Sequence, residues 1–157
     1  MPHIVLVEKD PFEREYLECK LGTVFTRENL LITSFPNAEG FLLGLGPSLV
    51  PDIVIMEHHL HLLDLRDSEE DIDRRHAVLL EKFPEVTQDW NHQEAAERLV
   101  RYMRKMGSPV PVIIYTHSER SWIERDVLDD PNVSYCPKKL TTHNLLALIQ
   151  EKIRAIA

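Results

Sequence analysis

The chain has 157 residues, 43% of them hydrophobic, which is enough for one packed domain over residues 1–157. Its formal net charge of −8 argues against a general affinity for nucleic acid or for acidic lipid. No basic-then-apolar leader precedes the first strand pattern, and no apolar run approaches the roughly 20 residues that span a bilayer. We therefore expect a cytoplasmic protein without membrane contact, in which Cys19 and Cys136 are buried, reduced thiols.

Strand and helix patterns alternate along the chain. Short apolar, β-branched segments predict strands, and amphipathic segments with capping residues predict helices between them. The predicted strands lie at 3–7, 30–35, 51–57, 110–115 and 133–136, and the helices at 11–26, 37–45, 91–107, 119–129 and from 141 onward. In the first helix, Phe12, Tyr16 and Cys19 are expected to face the core beside Leu17 and Leu21.

Residues 58–91 interrupt this alternation and form a predicted insertion. The insertion begins with His58, His59 and His61, and it continues through an acidic run from Asp64 to Asp73. A short helix is predicted over 74–83. Imidazoles suit zinc, nickel or copper, but no further ligand has diagnostic spacing, so a solvated histidine loop is the favoured interpretation.

Alternating strands and helices predict a parallel sheet with helices on both faces. The expected class is flavodoxin-like (βα)₅, with strand order 2-1-3-4-5 and a crevice at the carboxyl ends of strands 1 and 3. Several charged or polar side chains follow these strands and should gather at the crevice. They are Glu8, Lys9, Glu57, Thr116 and Lys138.

Four segments, in this order, resemble the receiver domain of two-component response regulators. They are HIVLVEKDPFER, PDIVIMEHHL, VPVIIYTHSE and VSYCPKKL, and the resemblance covers almost the whole chain. By this resemblance Glu57 stands at the phosphoacceptor aspartate, and Glu8, Lys9 and Asp10 stand at the acidic pocket that holds magnesium. Thr116, Tyr135 and Lys138 stand at the hydroxyl, aromatic and lysine positions of the family's switch.

Two of these positions depart from the family pattern. Glu57 carries one methylene more than aspartate, and productive attack geometry tolerates only about an ångström of error. Lys9 replaces an acidic ligand, so magnesium binding is not expected and no other cofactor is implied. Lys9 and Lys138 together are expected to face Glu8 and Glu57, with Lys9 supplying a built-in cation. The Glu57–Lys138 pair could equally be a structural ion pair, and Thr116 and Tyr135 ordinary residues at strand ends.

The leading hypothesis is a stand-alone, atypical receiver without catalytic activity that works by phosphorylation-independent protein–protein interaction. Its partner would be a signalling protein, such as a histidine kinase, or a second copy of the chain. The partner surface would include Trp122, Tyr135 and Lys139. Trp90 and Trp122 are interface anchors or core residues in this interpretation.

Two alternatives stay open at this point. The chain could be a conventional magnesium-dependent phosphoreceiver that uses a nearby residue. It could also be a small flavodoxin-fold enzyme or ligand-binding protein, although no glycine-rich phosphate loop follows any strand. A basic cluster, Arg98, Arg101, Arg104 and Lys105, is expected to be a solvated helix face rather than a nucleic-acid site.

Overall fold

The computed structural model describes residues 1–45, 50–88, 95–139 and 141–156. Trp90, the predicted capping box at Asn91 and Glu94, and the helix stop at Gly46 and Pro47 lie outside these ranges.

Five parallel strands form one sheet in the order β2-β1-β3-β4-β5, which confirms the predicted fold class. The strands are β1 (His3–Val7), β2 (Leu31–Phe35), β3 (Ile53–Met56), β4 (Val112–Thr116) and β5 (Val133–Pro137). The register aligns Val7 with Met56, and Thr116 with Pro137, so the carboxyl ends of β1, β3, β4 and β5 share one edge. β1, β3 and β4 are buried throughout, as expected for strands covered on both faces.

Seven α-helices and one 3-10 helix are found in the described ranges. The α-helices are α1 (Pro11–Val24), α2 (Ala38–Gly44), α3 (Glu69–Lys82), α4 (Pro84–Thr87), α5 (Ala95–Lys105), α6 (Arg125–Leu128) and α7 (His143–Ile156). Asp10 caps α1 by accepting the N–H groups of Phe12 and Glu13, and Asn37 caps α2 by accepting that of Gly40. α5 is followed by Gly107 with a φ of 82°, a backbone conformation that glycine adopts at little cost.

Side-chain alternation along the strands builds two hydrophobic cores. Ile4 and Leu6 point to the face covered by α1 and α7, where they join Leu17, Leu21 and Ile149. Their neighbours Val5 and Val7 point to the opposite face, which α2, α5, Leu79 of α3 and Val127 of α6 cover. The period-2 alternation of β1 thus serves both cores, which is the packing of a doubly wound sheet.

The insertion after β3 is more regular than its composition predicts. The helix predicted over 74–83 is longer and begins at Glu69, because Ser68 accepts the Asp71 N–H and caps it. Leu60, Leu62 and Leu63 are buried, and Arg75 of α3 pairs with Glu39 of α2 and with Asp67. Part of the predicted insertion is therefore folded onto the body of the molecule.

Several predicted burial patterns are wrong. Phe12 and Tyr16 are 82% and 54% exposed, and Cys19 is also exposed, because Leu17 and Leu21 provide the buried side of α1. Cys136 is buried as predicted. Met106, next to the end of α5, and Ile156, at the end of α7, are also exposed.

The predicted helix over 119–129 is also wrong in its extent. It is divided into a 3-10 helix, Arg120–Trp122, and the four-residue α6. Ile123, between them, is buried with an extended backbone that interrupts the helix.

Candidate functional site

The carboxyl edge of the sheet brings four predicted site residues together. Glu8 follows β1, Glu57 follows β3, Thr116 ends β4 and Lys138 follows β5. Because parallel strands deliver their carboxyl ends to one edge, residues far apart in sequence meet there. Glu8, Glu57 and Thr116 are 5%, 7% and 0% exposed, so the cluster is closed to most solvent.

Lys138 is the centre of this cluster. Its ammonium nitrogen lies 2.6 Å from Glu57 Oε2, 3.2 Å from Glu8 Oε2 and 2.8 Å from Glu13 Oε1. Glu13 comes from the first turn of α1 and was not predicted as a site residue. Its place as the third residue of the helix that begins at Pro11 was the available signal. One ammonium therefore serves three carboxylates.

The second oxygen of Glu57 is also occupied. Thr116 donates its hydroxyl hydrogen to Glu57 Oε1, and the His59 backbone N–H donates to the same oxygen over 3.2 Å. Thr116 Oγ1 in turn accepts the Ser118 N–H over 3.1 Å. Glu57 is thus held from β4, β5 and its own loop.

In this cluster the pKa values of Glu8 and Lys138 are raised and the pKa of Glu57 is lowered. Burial raises the pKa of Glu8 to about 7, since the opposing attraction of Lys138 is weaker and the Glu57 charge adds to the rise. Burial would also raise the pKa of Glu57, but hydrogen bonds from Lys138 and Thr116 outweigh it and hold that pKa below its usual value. Burial opposes the charge of Lys138, yet its bonds to Glu13 and Glu57 raise its pKa above the ordinary value.

The predicted role of Lys9 as a built-in cation of the cluster is wrong. Its side chain is exposed and borders a cavity of about 270 Å³ with Asn37, His61 and Asp64. No ion pair between Lys9 and a carboxylate is present in the described part of the chain. Lys9 lies in the exposed turn between β1 and the Asp10 cap of α1. Asp10 itself caps α1, and its N–H donates to Glu8 Oε1 over 3.2 Å.

The other predicted residues lie next to the cluster or on the surface. Tyr135 is half-buried, and its hydroxyl donates to the Ser118 carbonyl over 2.7 Å. Arg120 lies over the Tyr135 ring at 5.9 Å. Trp122 is 60% exposed and meets the His59 ring edge to face, with centroids 6.3 Å apart, so it is not a core residue. Lys139 is exposed.

A buried histidine–glutamate pair beside the cluster was missed by the sequence analysis. His58 and Glu97 are 4% and 2% exposed, and His58 Nε2 lies 3.0 Å from Glu97 Oε1. The solvated-loop interpretation is therefore wrong for His58. The peptide after a buried strand tends to be buried, and the apolar surroundings of Glu97 in α5 were the only other sequence signal. Within the described residues, no group of three or more His, Cys, Asp or Glu side chains could hold a metal ion.

No protein-family model matches the sequence, and no curated protein matches it. Solved structures of response regulators do match the fold. A response regulator receiver protein from Pseudoalteromonas atlantica superimposes with a TM-score of 0.64 at 19% identity, covering 99% of this chain and 100% of that one.

Two further structures agree with this fold. TrrA from Thermotoga maritima, solved with Mg²⁺ and BeF, gives a TM-score of 0.59 at 18% identity over 97% of this chain and 99% of that one. RcsB from Salmonella enterica serovar Typhimurium, solved on a promoter, gives 0.66 at 12% identity over 97% and 98%. The chain therefore has the receiver fold, with glutamate at the end of the third strand and a lysine bonded to it.

Proposed function

We propose that the chain is an atypical receiver domain that acts in signal transduction through protein–protein contacts, without phosphorylation of Glu57. One observation carries the proposal: Lys138 and Thr116 already bind the two oxygens of Glu57 in the unmodified chain. By the family resemblance, these are the lysine and the hydroxyl that would serve a phosphoryl group. The hydrogen bonds from Lys138 and Thr116 that would be expected to bind a phosphoryl group are therefore made to the Glu57 carboxylate itself.

The geometry around Glu57 supports an unreactive carboxylate. Phosphoryl transfer needs a free oxygen in line with the donor, whereas Oε1 accepts two hydrogen bonds and Oε2 accepts one from Lys138. The side chain is also 7% exposed. Glu57 carries one negative charge, against about −1.5 to −2 for a phosphoryl group, so it imitates that group only in part.

One finding favours the conventional phosphoreceiver as a second candidate. The sequence predicts that Lys9 repels a divalent cation. Lys9 is exposed and, among the residues that the structure describes, makes no ion pair with the cluster, so this predicted repulsion is absent. The remaining obstacle to magnesium is Lys138, which holds Glu8 and Glu57 at hydrogen-bonding distance. A labelling experiment is therefore needed to separate the two candidates.

Labelling with a small phosphodonor distinguishes a phosphorylation-independent receiver from a conventional phosphoreceiver. The intact chain is incubated with acetyl phosphate and magnesium chloride, and its mass is compared with that of the untreated chain. We expect no added phosphoryl group. A Glu57→Asp variant shortens the side chain by one methylene, and labelling of that variant alone would assign the block to the glutamate. Labelling of the native chain contradicts the proposal, and peptide mapping would then name the acceptor.

The partner surface is proposed around Trp122, Tyr135 and Lys139. Trp122 is the kind of exposed aromatic that dominates interface energies, and Arg120 stacks over Tyr135 beside it. A depression of about 350 Å³ lies next to Tyr135 and is bordered by Pro137, Asn144 and Leu148. This face would bind a signalling protein such as a histidine kinase, or a second copy of the chain.

Nucleic acid is not the partner that the charges favour. Arg101 of α5 pairs with Glu124 and Asp126, Arg104 pairs with Asp130, and Lys105 pairs with Glu85. The basic cluster predicted from the sequence is thus largely neutralised by carboxylates of the same chain. Among the described residues, no helix is both long enough and apolar enough to cross a bilayer. The cytoplasmic location and the single domain over 1–157 stay predictions.

A matched pair of surface variants tests the partner face. Trp122→Ala removes an exposed aromatic from the proposed face, and Phe12→Ala removes one of 82% exposure from α1. Association is measured by sedimentation across a concentration series of the purified chain, and by titration with a candidate kinase. We expect Trp122→Ala to weaken binding at least tenfold and Phe12→Ala to leave it unchanged. If Trp122→Ala and Phe12→Ala weaken binding equally, the partner surface is not the one around Trp122.

A further inference from the structure

The His58–Glu97 pair is connected to Glu57 by two hydroxyl groups. His58 Nδ1 lies 2.8 Å from Ser118 Oγ, and Ser118 Oγ lies 3.2 Å from Thr116 Oγ1. Thr116 donates to Glu57, as described above. Ser118 is 1% exposed, so the whole path from α5 to the carboxylate runs through buried atoms.

The protonation state of His58 determines the direction in which the Ser118 hydroxyl donates, and thereby the hydrogen bonds of the Thr116 hydroxyl. A neutral imidazole with its hydrogen on Nε2, the nitrogen nearest Glu97, has a lone pair on Nδ1, which accepts the Ser118 hydroxyl hydrogen. An imidazolium donates from both nitrogens, so Ser118 must accept at Oγ and turn its own hydrogen to Thr116. In the second state Thr116 Oγ1 accepts an additional hydrogen bond, which strengthens its donation to Glu57.

The pair has few other interactions to account for its burial. Neither His58 Nε2 nor Glu97 Oε1 has another hydrogen-bonding partner among the described residues, and their mutual alignment falls short of a full hydrogen bond. Two apolar side chains of similar size would often fill such a place at equal or greater stability. A polar pair here is therefore better explained by its connection to Thr116 than by packing.

The surrounding charges leave Glu97 as the group that most directly controls the imidazole. The charged and titratable neighbours are Glu57 and His59 beside His58, Arg101 on α5, exposed His117 after β4, Arg120 on the 3-10 helix, and Tyr135 and Lys138 from β5 and beyond. Arg101 is turned to Glu124 and Asp126, and Lys138 is bound to Glu57.

We propose that His58, Glu97 and Ser118 form a proton-sensitive relay that reorients the Thr116 hydroxyl system and so adjusts the environment of Glu57. The relay gives α5 and the insertion loop a physical connection to the site. It rests on the proposed function in one respect, since it takes Glu57 as an unmodified carboxylate.

Nuclear magnetic resonance of the full, isotope-labelled chain tests the relay. The ring nitrogens of His58, the methyl group of Thr116 and the carboxyl carbon of Glu57 are followed together through a pH titration of the folded chain. We expect the Thr116 and Glu57 signals to show a step that coincides with protonation of His58. Absence of that step in the native chain overturns the relay.

Four variants distinguish the relay from the effects of neighbouring groups. Ser118→Ala should abolish the step at Thr116 and Glu57 while the His58 ring keeps its own, and Ser118→Thr should restore it. His59→Gln is the matched control, and it should change neither the step at Thr116 and Glu57 nor the step of the His58 ring. Glu8→Gln should remove any step due to Glu8 and leave the His58 step in place.

The outcomes remain decisive if one variant does not fold. If Ser118→Ala does not fold, His58→Gln takes its place and should abolish the step. Persistence of the step in a folded Ser118→Ala or His58→Gln chain that also carries Glu8→Gln contradicts the proposal. Because phosphoryl labelling is measured by mass and the relay by resonance of the untreated chain, failure of one proposal is distinguishable from failure of the other.

Discussion

Replacement of Glu8 by glutamine should stabilise the protein at alkaline pH. Glu8 is 5% exposed, and its pKa rises from the ordinary 4.5 to about 7 because burial disfavours its charge. A carboxyl group with a raised pKa contributes stability that is complete below pH 4.5 and is lost as the pH rises through about 7. Since one pKa unit corresponds to about 1.4 kcal/mol, ionising Glu8 costs the fold up to about 3 kcal/mol.

Glutamine resembles the protonated carboxyl in size and, like it, presents one carbonyl oxygen, which accepts either from Lys138 or from the Asp10 N–H. The difference in unfolding free energy between Glu8→Gln and the native chain should therefore grow with pH. Urea denaturation at about pH 5, 6, 7 and 8 measures it. We expect the variant to gain up to about 3 kcal/mol relative to the native chain between the two ends of this series. Titrating groups outside the cluster cancel in the difference because both chains contain them, whereas Glu57 and Lys138 interact electrostatically with Glu8 and contribute to it.

A second carboxylate variant provides the control for Glu8→Gln. Glu13 also contacts Lys138, at 2.8 Å, but its side chain is 31% exposed. Glu13→Gln should show no comparable gain at alkaline pH, because its carboxylate keeps more of its hydration. If the difference in unfolding free energy between Glu8→Gln and the native chain stays constant or falls as the pH rises, the raised pKa of Glu8 is refuted.

Three further changes test the packing around the site, each by urea denaturation. Lys138→Met should cost about 3–5 kcal/mol at neutral pH, because it leaves buried carboxylates unpaired, and less at about pH 5, where Glu8 is protonated; an equal cost at both pH values would contradict this. Arg75→Met should cost about 1–2 kcal/mol through its lost bonds to Glu39, whereas Arg74→Met, whose ion pair is exposed, should stay within about 0.5 kcal/mol; similar costs would show that the inter-helix pair adds nothing. Gly107→Ala should cost about 1 kcal/mol, because the left-handed backbone there strains any Cβ and no neighbouring atom crowds it; a neutral result would place the strain elsewhere.

The strand order and most of the cluster could be predicted from the sequence because they depend on the backbone. Once β1, β3, β4 and β5 are parallel, the residues at their carboxyl ends must meet. Glu57 and Lys138 needed no knowledge of rotamers to be placed together. Lys9 shows the limit of this reasoning, because it follows the strand by two positions and lies in the exposed turn before the Asp10 cap.

His58 was misplaced for a different reason. Local composition favoured a solvated histidine loop, and the partners that bury His58 are Ser118 and Glu97, both distant in sequence. Long-range partners of a single polar side chain leave no periodic signal in one sequence. In α1, by contrast, Leu17 and Leu21 identified the buried side, and the error lay in adding Phe12 and Tyr16 to it.

The charges of the cluster connect the two candidate functions to one physical requirement. Glu8, Glu13 and Glu57 surround the single ammonium of Lys138, so negative charge is already in excess when Glu8 is ionised. Protonation of Glu8 removes part of that excess, which agrees with its raised pKa. A phosphoryl group on Glu57 would replace its charge of −1 by about −1.5 to −2, and so increase the negative charge of a site that is mostly closed to solvent. Lys138 is already shared by three carboxylates, so this added charge needs a further cation. We therefore expect any phosphoryl labelling of the chain to require magnesium, and labelling in a magnesium-free, chelated buffer would contradict this charge argument.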